Sequence, residues 1–303
     1  MSENIQPTLL VTGASGHFGR LAIEFLLEAG VRPEKIIGTT RSPEKLADFA
    51  ARGVIVRHAD FDQPESLADA FAGADRLLLI STDVLGVPGK RIQQHQNAVQ
   101  AAEDAGVQHV VYTSIVKAAA DSPVGVAPDH YATEAALRES GMGWTLLRNS
   151  IYTEMLIPTL AQAVQVGQFS NASGEGKTAY VTREDCARAA AAALVSDYEG
   201  QRVLDITGPD ALSQAEIASI ASTITGRPIQ YVPIDAETLI NGMTGFGLPR
   251  PLAEIYASFD VGASLGLFED VSPAFEELTG RRATSLREFL SASRDALVQG
   301  GSE

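Results

Sequence analysis

Six short runs rich in apolar and β-branched residues recur across the first half of the chain: TLLVT, KIIGTT, VIVRHAD, RLLLIS, HVVYTS and WTLLRN. Between them lie stretches whose apolar positions follow a helical period: RLAIEFLLEAG (20–30), SPEKLADFAARG (42–53), PESLADAFAG (64–73), RIQQHQNAVQAAEDAG (91–106) and DHYATEAALRESG (129–141). Gly30 and Gly53 stand where two of these helices should close, and Ser42 with Pro43 is expected to cap and open one. Apolar strands alternating with amphipathic helices predict parallel strands joined by right-handed crossovers. The fold class read from this pattern is α/β, a doubly wound parallel sheet of the Rossmann type, with a smaller C-terminal α/β lobe.

After Asn149 the rhythm loosens. EMLIPTLAQAVQ is predicted as a helix interrupted by Pro158, and FSNASGEGK (169–177) as a loop. A helix over 182–195, a strand over 202–207, and a helix capped by Ser213 and Glu216 follow, then strand PIQYVPI. The stretch 241–272 holds five glycines and a weak period, which suggests a lid or pocket wall. The expected division is a nucleotide-binding domain over 1–150 and a mainly substrate-binding lobe over 151–303, some of whose segments return to the first domain.

TGASGHFG ends the first strand and opens the first helix. Gly13, Gly16 and Gly19 have the spacing G-x-x-G-x-x-G in the βαβ context a dinucleotide site requires. Gly13 permits the tight turn, Gly16 lets backbone approach a pyrophosphate, and Gly19 lets helix pack on sheet. Ser15, His17 and Phe18 complete the loop, with the His17 N–H serving phosphate and its ring forming a wall. The adenosine ribose is met about 20 residues after the last glycine, by an acid for NAD or an arginine for NADP. Here Arg41 occupies that place, Ser42 follows, and no acid precedes them in KIIGTTR. An arginine fork matches a phosphate bidentately, so NADPH is the expected cofactor. Asp60, at the end of strand three, either lies at the adenine edge or caps the next helix.

With these motifs assembled, the chain resembles atypical short-chain dehydrogenases of the NmrA-like family, most of all the NAD(P)H:quinone oxidoreductase type 2 and triphenylmethane reductase branch. The matching stretches run almost end to end, from TGASGHFG and TTRSPEKL through AAEDAGVQHVVYTS, HYATEAALRESG and TLLRNSIYTE to ASGEGK and DVGASLGLFED. The resemblance implies a Rossmann domain that binds NADPH and a smaller lobe forming the substrate cleft. It also departs from ordinary short-chain dehydrogenases, whose Tyr-x-x-x-Lys pair is missing. Tyr131 has Ala135 four residues on, and if His130 takes the lysine place the tyrosine place falls on Val126.

Without that pair, reduction of a simple ketone lacks its proton donor. A quinone, whose reduced anion is a weak base, or a triarylmethyl cation needs none, so either fits the missing pair. Ligands of parallel sheets sit at the strands' carboxyl ends, which selects Ser81, Thr82, Thr113, Ser114, Asn149 and Tyr152. Ser81 and Thr82 are assigned to ribose, and Thr113 to the cofactor site. Ser114 has the usual serine place but only orients ligands without a tyrosine. Asn149 either binds a carboxamide or acceptor carbonyl or is a turn residue, and Tyr152 walls the ring. His130 is a proton donor, a ribose ligand or a packed helix-start residue. Phe246, Phe259 and Phe268 line an apolar cleft or pack in the core.

The net charge of −15 argues against a nucleic-acid partner, and the lone Cys186 fits a reducing cytoplasm. MSENIQPT lacks the pattern of a signal peptide, and no apolar stretch reaches membrane-spanning length. A small quinone-like molecule is the expected partner, and homo-oligomers are left open. A non-enzymatic NADP(H) sensor is the alternative of a different class.

Overall fold

The structure, a computed structural model, describes residues 6–299, so the first five residues of MSENIQPT lie outside it. In chain order the first half runs β1 (Leu9–Val11), α1 (His17–Glu28), β2 (Ile36–Thr40), α2 (Ala47–Ala51), β3 (Ile55–His58), α3 (Glu65–Phe71) and β4 (Arg76–Leu79). It continues through α4 (Lys90–Asp104), β5 (His109–Ile115), α5 (Ala127–Glu139) and β6 (Gly143–Asn149). Next come α6 (Leu156–Val166), β7 (Gln168–Phe169), β8 (Lys177–Thr178), α7 (Arg183–Val195), β9 (Gln201–Ile206), β10 (Leu212–Ser213), α8 (Gln214–Thr225) and β11 (Gln230–Tyr231). The chain then forms α9 (Ala236–Gly245), α10 (Arg250–Ser264), α11 (Ala274–Thr279), α12 (Leu286–Ala292) and α13 (Arg294–Gln299).

Seven strands form one sheet in the order β3-β2-β1-β4-β5-β6-β9. β1 pairs in parallel with β2 and β4, which places the order's reversal, the switch point of doubly wound sheets, directly beyond β1. Every residue of β1, β2, β4 and β5 is buried, whereas β3 at one edge is half exposed. That is why the central strands read as unbroken apolar runs. Against one face pack Leu67, Phe71, Ala98, Ala102 and Leu137, in a cluster with Leu10, Leu77, Val110, Tyr112 and Leu146. Each of the leucine, valine and phenylalanine side chains among them contributes about 1.5–3 kcal/mol by leaving water.

Two compact units emerge, neither continuous in sequence. The first comprises the chain up to Ser114, Asp129–Arg148 and Cys186–Leu204; the second comprises Ile115–Pro128, Asn149–Asp185 and the chain from Asp205 on. In the first unit the buried Arg76 donates to the carbonyls of Leu194 (2.9 Å), Ala193 (3.4 Å) and Tyr198 (3.1 Å). It thus satisfies the acceptors left open where α7 ends and turns into β9.

Four local expectations are corrected. Ser42 gives no side-chain cap, because Pro43–Leu46 forms a tighter 3-10 turn before α2. Pro158 does not interrupt α6: it is the third residue, where a backbone N–H has no partner to lose. The strand expected over PIQYVPI shrinks to β11. Lastly, 241–272 is chiefly helix, with α9 and α10 closing on Ile240, Ala253, Ala257, Met243 and Leu248. The capping box of Ser213 and Glu216 forms as read.

The two late motifs of the resemblance meet inside the second unit. A Cβ on Gly176 of ASGEGK would lie 2.1 Å from the Ala263 carbonyl of VGASLG, so only glycine lets the loop seat on the end of α10. Asp260 holds the same loop, accepting from the Ala172 N–H (3.2 Å) and the Ser173 hydroxyl (3.1 Å). Gly262 in turn gives way to Val124 and to Phe268, which is 2% exposed and belongs to the core. Phe246 is 86% exposed and Phe259 half-buried, so these three rings do not share one cleft wall.

Candidate cofactor and active site

The three glycines have separate physical tasks. Gly13 turns the chain with φ +58°, in the left-handed region that disfavours side chains. Gly19 is the packing glycine: a Cβ there would fall 2.5 Å from the Gly13 carbonyl oxygen and 2.7 Å from Ala14 Cα. Gly16, by contrast, is exposed, and its Cβ would meet only the Gly13 carbonyl, at 3.3 Å. The space in front of Gly16 is therefore open to a ligand. Gly16 also precedes α1 without a side-chain cap, and the first intrahelical acceptance is by its carbonyl from Arg20 N–H. The N–H groups of Phe18 and Gly19 have no partner among the described residues, which leaves them for an anion. His17 is the exposed first residue of α1, and the Phe18 ring is buried.

Ser15 ties this loop to the end of β2, its hydroxyl 2.7 Å from that of Thr40, which also accepts the Ser42 N–H (3.1 Å). Arg41, exposed between them, makes no hydrogen bond or ion pair among the described residues. Its charge helps Lys90 and Gln94 hold the Asp62 carboxyl below the usual range. Asp60 caps no helix: its carboxylate accepts the Asp62 N–H (3.0 Å) and closes a local turn.

Where β4 ends, three successive backbone N–H groups are each held by a side chain. Ile80 donates to Thr12 Oγ1 (2.9 Å), Ser81 to Thr113 Oγ1 (2.9 Å) and Thr82 to His95 Nε2 (3.0 Å). Thr113, 2% exposed, therefore acts on the Ser81 backbone and donates its own proton to the Ser81 hydroxyl (3.3 Å).

Ser114 donates its hydroxyl proton to Glu134 (2.7 Å). Glu134 is fully buried on α5, and burial pushes its pKa up. Two bonds from Arg148 (2.9 and 2.7 Å), together with Ser114 and Arg138, outweigh this and keep the carboxyl below its ordinary value. Ser114 is thus left with lone pairs and no free proton. His130 does not have the place of a proton donor. It is 6% exposed, its Nδ1 lies 2.8 Å from the Tyr112 hydroxyl and its Nε2 accepts from Arg91 (3.2 Å). Burial, then the Arg91 charge, drives its pKa well below the normal value, so the ring is neutral. Tyr131 is 42% exposed and Ala135 follows one turn on, so α5 carries no Tyr–Lys pair.

In the second unit, Asn149 is 3% exposed and donates its amide to the Tyr152 hydroxyl (3.3 Å), while its Oδ1 is buried without a partner. The Ser150 hydroxyl beside it is likewise orphaned. Such atoms are costly unless a ligand completes them. Tyr152 is bridged in parallel to Val181, and Arg183 lies 5.1 Å over its ring. Sequence reasoning missed Glu134, His95, Arg91 and Arg148. The available signal was HYATE, which puts His130 and Glu134 one turn apart on one side of a helix.

The buried histidines make stability pH-dependent. Burial chiefly lowers His95 to about 3 and His109 to about 4. A lowered histidine binds protons in the unfolded chain first, so stability is lost as pH falls below about 6.5. His95 alone accounts for about 2 kcal/mol at pH 5. Asp260, which burial raises, acts in the opposite sense, as does relief of the acidic net charge. The urea midpoint should fall between pH 7.5 and 5.0; a rise would refute the assignment of neutral rings.

Comparisons with known proteins agree with one another. The NmrA-like family matches residues 6–290. Quinone oxidoreductase 2 of Escherichia coli K12 is 36% identical over 285 residues, covering 93% of this chain and 97% of that protein. The NADPH complex of an E. coli NADPH-dependent quinone oxidoreductase superposes with a TM-score of 0.89 at 35% identity, covering 94% and 99% of the two chains. Citrobacter sp. triphenylmethane reductase, complexed with NADP(H), gives 0.85 at 35% identity with the same coverage.

Proposed function

The chain belongs to the NmrA-like family, and from that premise we propose that it is an NADPH-dependent reductase delivering hydride to a quinone or a similarly conjugated acceptor. The observation that carries this reading is the open space in front of Gly16, at the switch point of the sheet and with two unpartnered N–H groups behind it. The residues fit a dinucleotide phosphate. The amides of Phe18 and Gly19 receive the pyrophosphate charge, and Arg41 with Ser42 holds the 2′-phosphate. Ser81 and Thr82 are assigned to ribose, and in the second unit the orphaned Asn149 Oδ1 is an open acceptor for a ligand N–H. Bound NADPH supplies the hydride.

Neither His130 on α5 nor Ser114 on β5 is set up as an acid, since His130 is neutral and internally bonded and the Ser114 hydroxyl already donates its hydrogen bond to Glu134. This suits acceptors whose reduced form is a weak base or is uncharged. A cationic triarylmethane dye satisfies the same condition, and the Citrobacter relative supports it. The lone, buried Cys186 supports the cytoplasm as the place of work.

The test is NADPH oxidation followed against benzoquinones, naphthoquinones and triarylmethane dyes, with NADH in parallel. NADPH should be preferred, and Arg41→Ala should weaken it roughly ten- to a hundredfold, about 1.5–3 kcal/mol, while leaving NADH unchanged. NADPH binding without turnover of any acceptor would favour the sensor; equal affinity for NADPH and NADH would remove Arg41 from the phosphate.

A further inference from the structure

His95 lies on α4, outside every motif that carries the family resemblance, and is fully buried. Its two nitrogens have opposite duties. Nε2 accepts the Thr82 backbone N–H at 3.0 Å, so the ring proton resides on Nδ1. That Nδ1–H donates to Thr133 Oγ1 (2.8 Å), whose hydroxyl donates to the Asp129 carbonyl (2.9 Å). Helix α5 thereby fixes the tautomer on α4, and the tautomer fixes the segment leaving β4. The Tyr112 ring, edge-on with centroids 5.8 Å apart, holds the imidazole plane. Burial keeps the ring neutral, so Nε2 keeps its lone pair across the physiological range.

We propose that His95 is a positioning residue for the cofactor: its Nε2 completes the three-point clamp on Ile80, Ser81 and Thr82 and so presets the backbone assigned above to the ribose. The first two points of the clamp are threonines of neighbouring strands, Thr12 just past β1 and Thr113 near the end of β5, as a sheet readily supplies. All three N–H groups lie past the end of β4 at Leu79, and the third, farthest out, is held by neither of these threonines. A histidine reaching from α4 fills that gap. Removing it leaves the Thr82 N–H to find another partner, and the segment must shift to do so. Preorganisation of this kind is read in affinity for the ligand, with little change in the reaction once the ligand is held.

This inference rests on the dinucleotide reading, and two isosteric variants test it. His95→Asn keeps a donor toward Thr133 but is too short to reach Thr82; His95→Gln carries an acceptor to the Nε2 position but gives up Thr133. NADPH affinity is measured by fluorescence, amide exchange at Ser81 and Thr82 in the cofactor-free protein, and kcat at saturating NADPH. His95→Asn should bind NADPH about tenfold more weakly and exchange the Thr82 amide faster, with kcat within about threefold. His95→Gln should restore affinity and protection to within about threefold of the unaltered protein. Arg41→Ala, run alongside, should weaken NADPH without touching the Thr82 amide. Normal NADPH affinity in His95→Asn overturns the proposal, as does equal damage in both variants, which would mark a packing role only. If the unaltered protein binds no NADPH, the dinucleotide reading itself fails and takes the positioning role with it, whatever the exchange rates show.

Discussion

Gly16→Val should yield a folded protein that no longer binds NADPH. Gly16 has φ −76° and ψ 164°, an extended conformation that β-branched residues adopt readily. Its added Cβ would need only a few tenths of an ångström from the Gly13 carbonyl, at 3.3 Å. The loss of a glycine before the helix costs about 1 kcal/mol or less, a few degrees in melting temperature. The valine methyls, however, fill the space through which a pyrophosphate reaches the free amides, and affinity should drop more than a hundredfold, about 3 kcal/mol. Gly19→Ala makes the opposite pattern, because its methyl collides with backbone at 2.5 and 2.7 Å. Overpacking there should cost about 1–3 kcal/mol or more of stability before ligand is considered. Thermal melts followed by circular dichroism, paired with NADPH fluorescence titrations, separate the two. Normal NADPH binding by folded Gly16→Val would place the phosphate site elsewhere.

Asn149→Ala should lower kcat by about ten- to a hundredfold at saturating NADPH, about 1.4–2.7 kcal/mol of barrier, while Tyr131→Phe stays within about threefold. The asparagine amide is a buried side chain at the end of β6 with an acceptor atom left open, and its other end is held by Tyr152. Truncation removes the open acceptor and loosens Tyr152 together. Tyr131 is exposed and has no lysine one turn on, so it lacks the partner with which such a tyrosine passes a proton. A general acid is usually worth 10²–10⁴, so a hundredfold loss in Tyr131→Phe with Asn149→Ala near normal would reinstate the tyrosine.

Much of this was legible in the residues. The six strands of the first half declared themselves because central parallel strands are buried on both faces and must be apolar throughout. The glycine loop did so because each glycine answers a separate steric demand. The α9–α10 pair was hidden because the buried positions of α10 are Ala253, Ala257, Gly262 and Ala263, residues too small to write a strong helical period. Pro158 misled because a proline's effect depends on its distance from the helix start, which the sequence locates poorly. The network of Arg91, His95, Tyr112, His130 and Thr133 was invisible for another reason. Its members come from α4, β5 and α5, and no local spacing joins them.

The seventh strand has a consequence for how the molecule is made. Its residues, Gln201–Ile206, join the sheet beside β6, where Trp144 N–H donates to the Gly200 carbonyl (3.1 Å) and Ser150 N–H to that of Ile206 (2.9 Å). During synthesis β6 emerges from the ribosome well before its neighbour, and at about 5–20 residues per second the gap lasts several seconds. Through that interval the nascent sheet has an open, apolar flank, the kind of edge that recruits other chains. A chain cut after residue 150 would keep that flank for good and should aggregate, however complete its nucleotide loop.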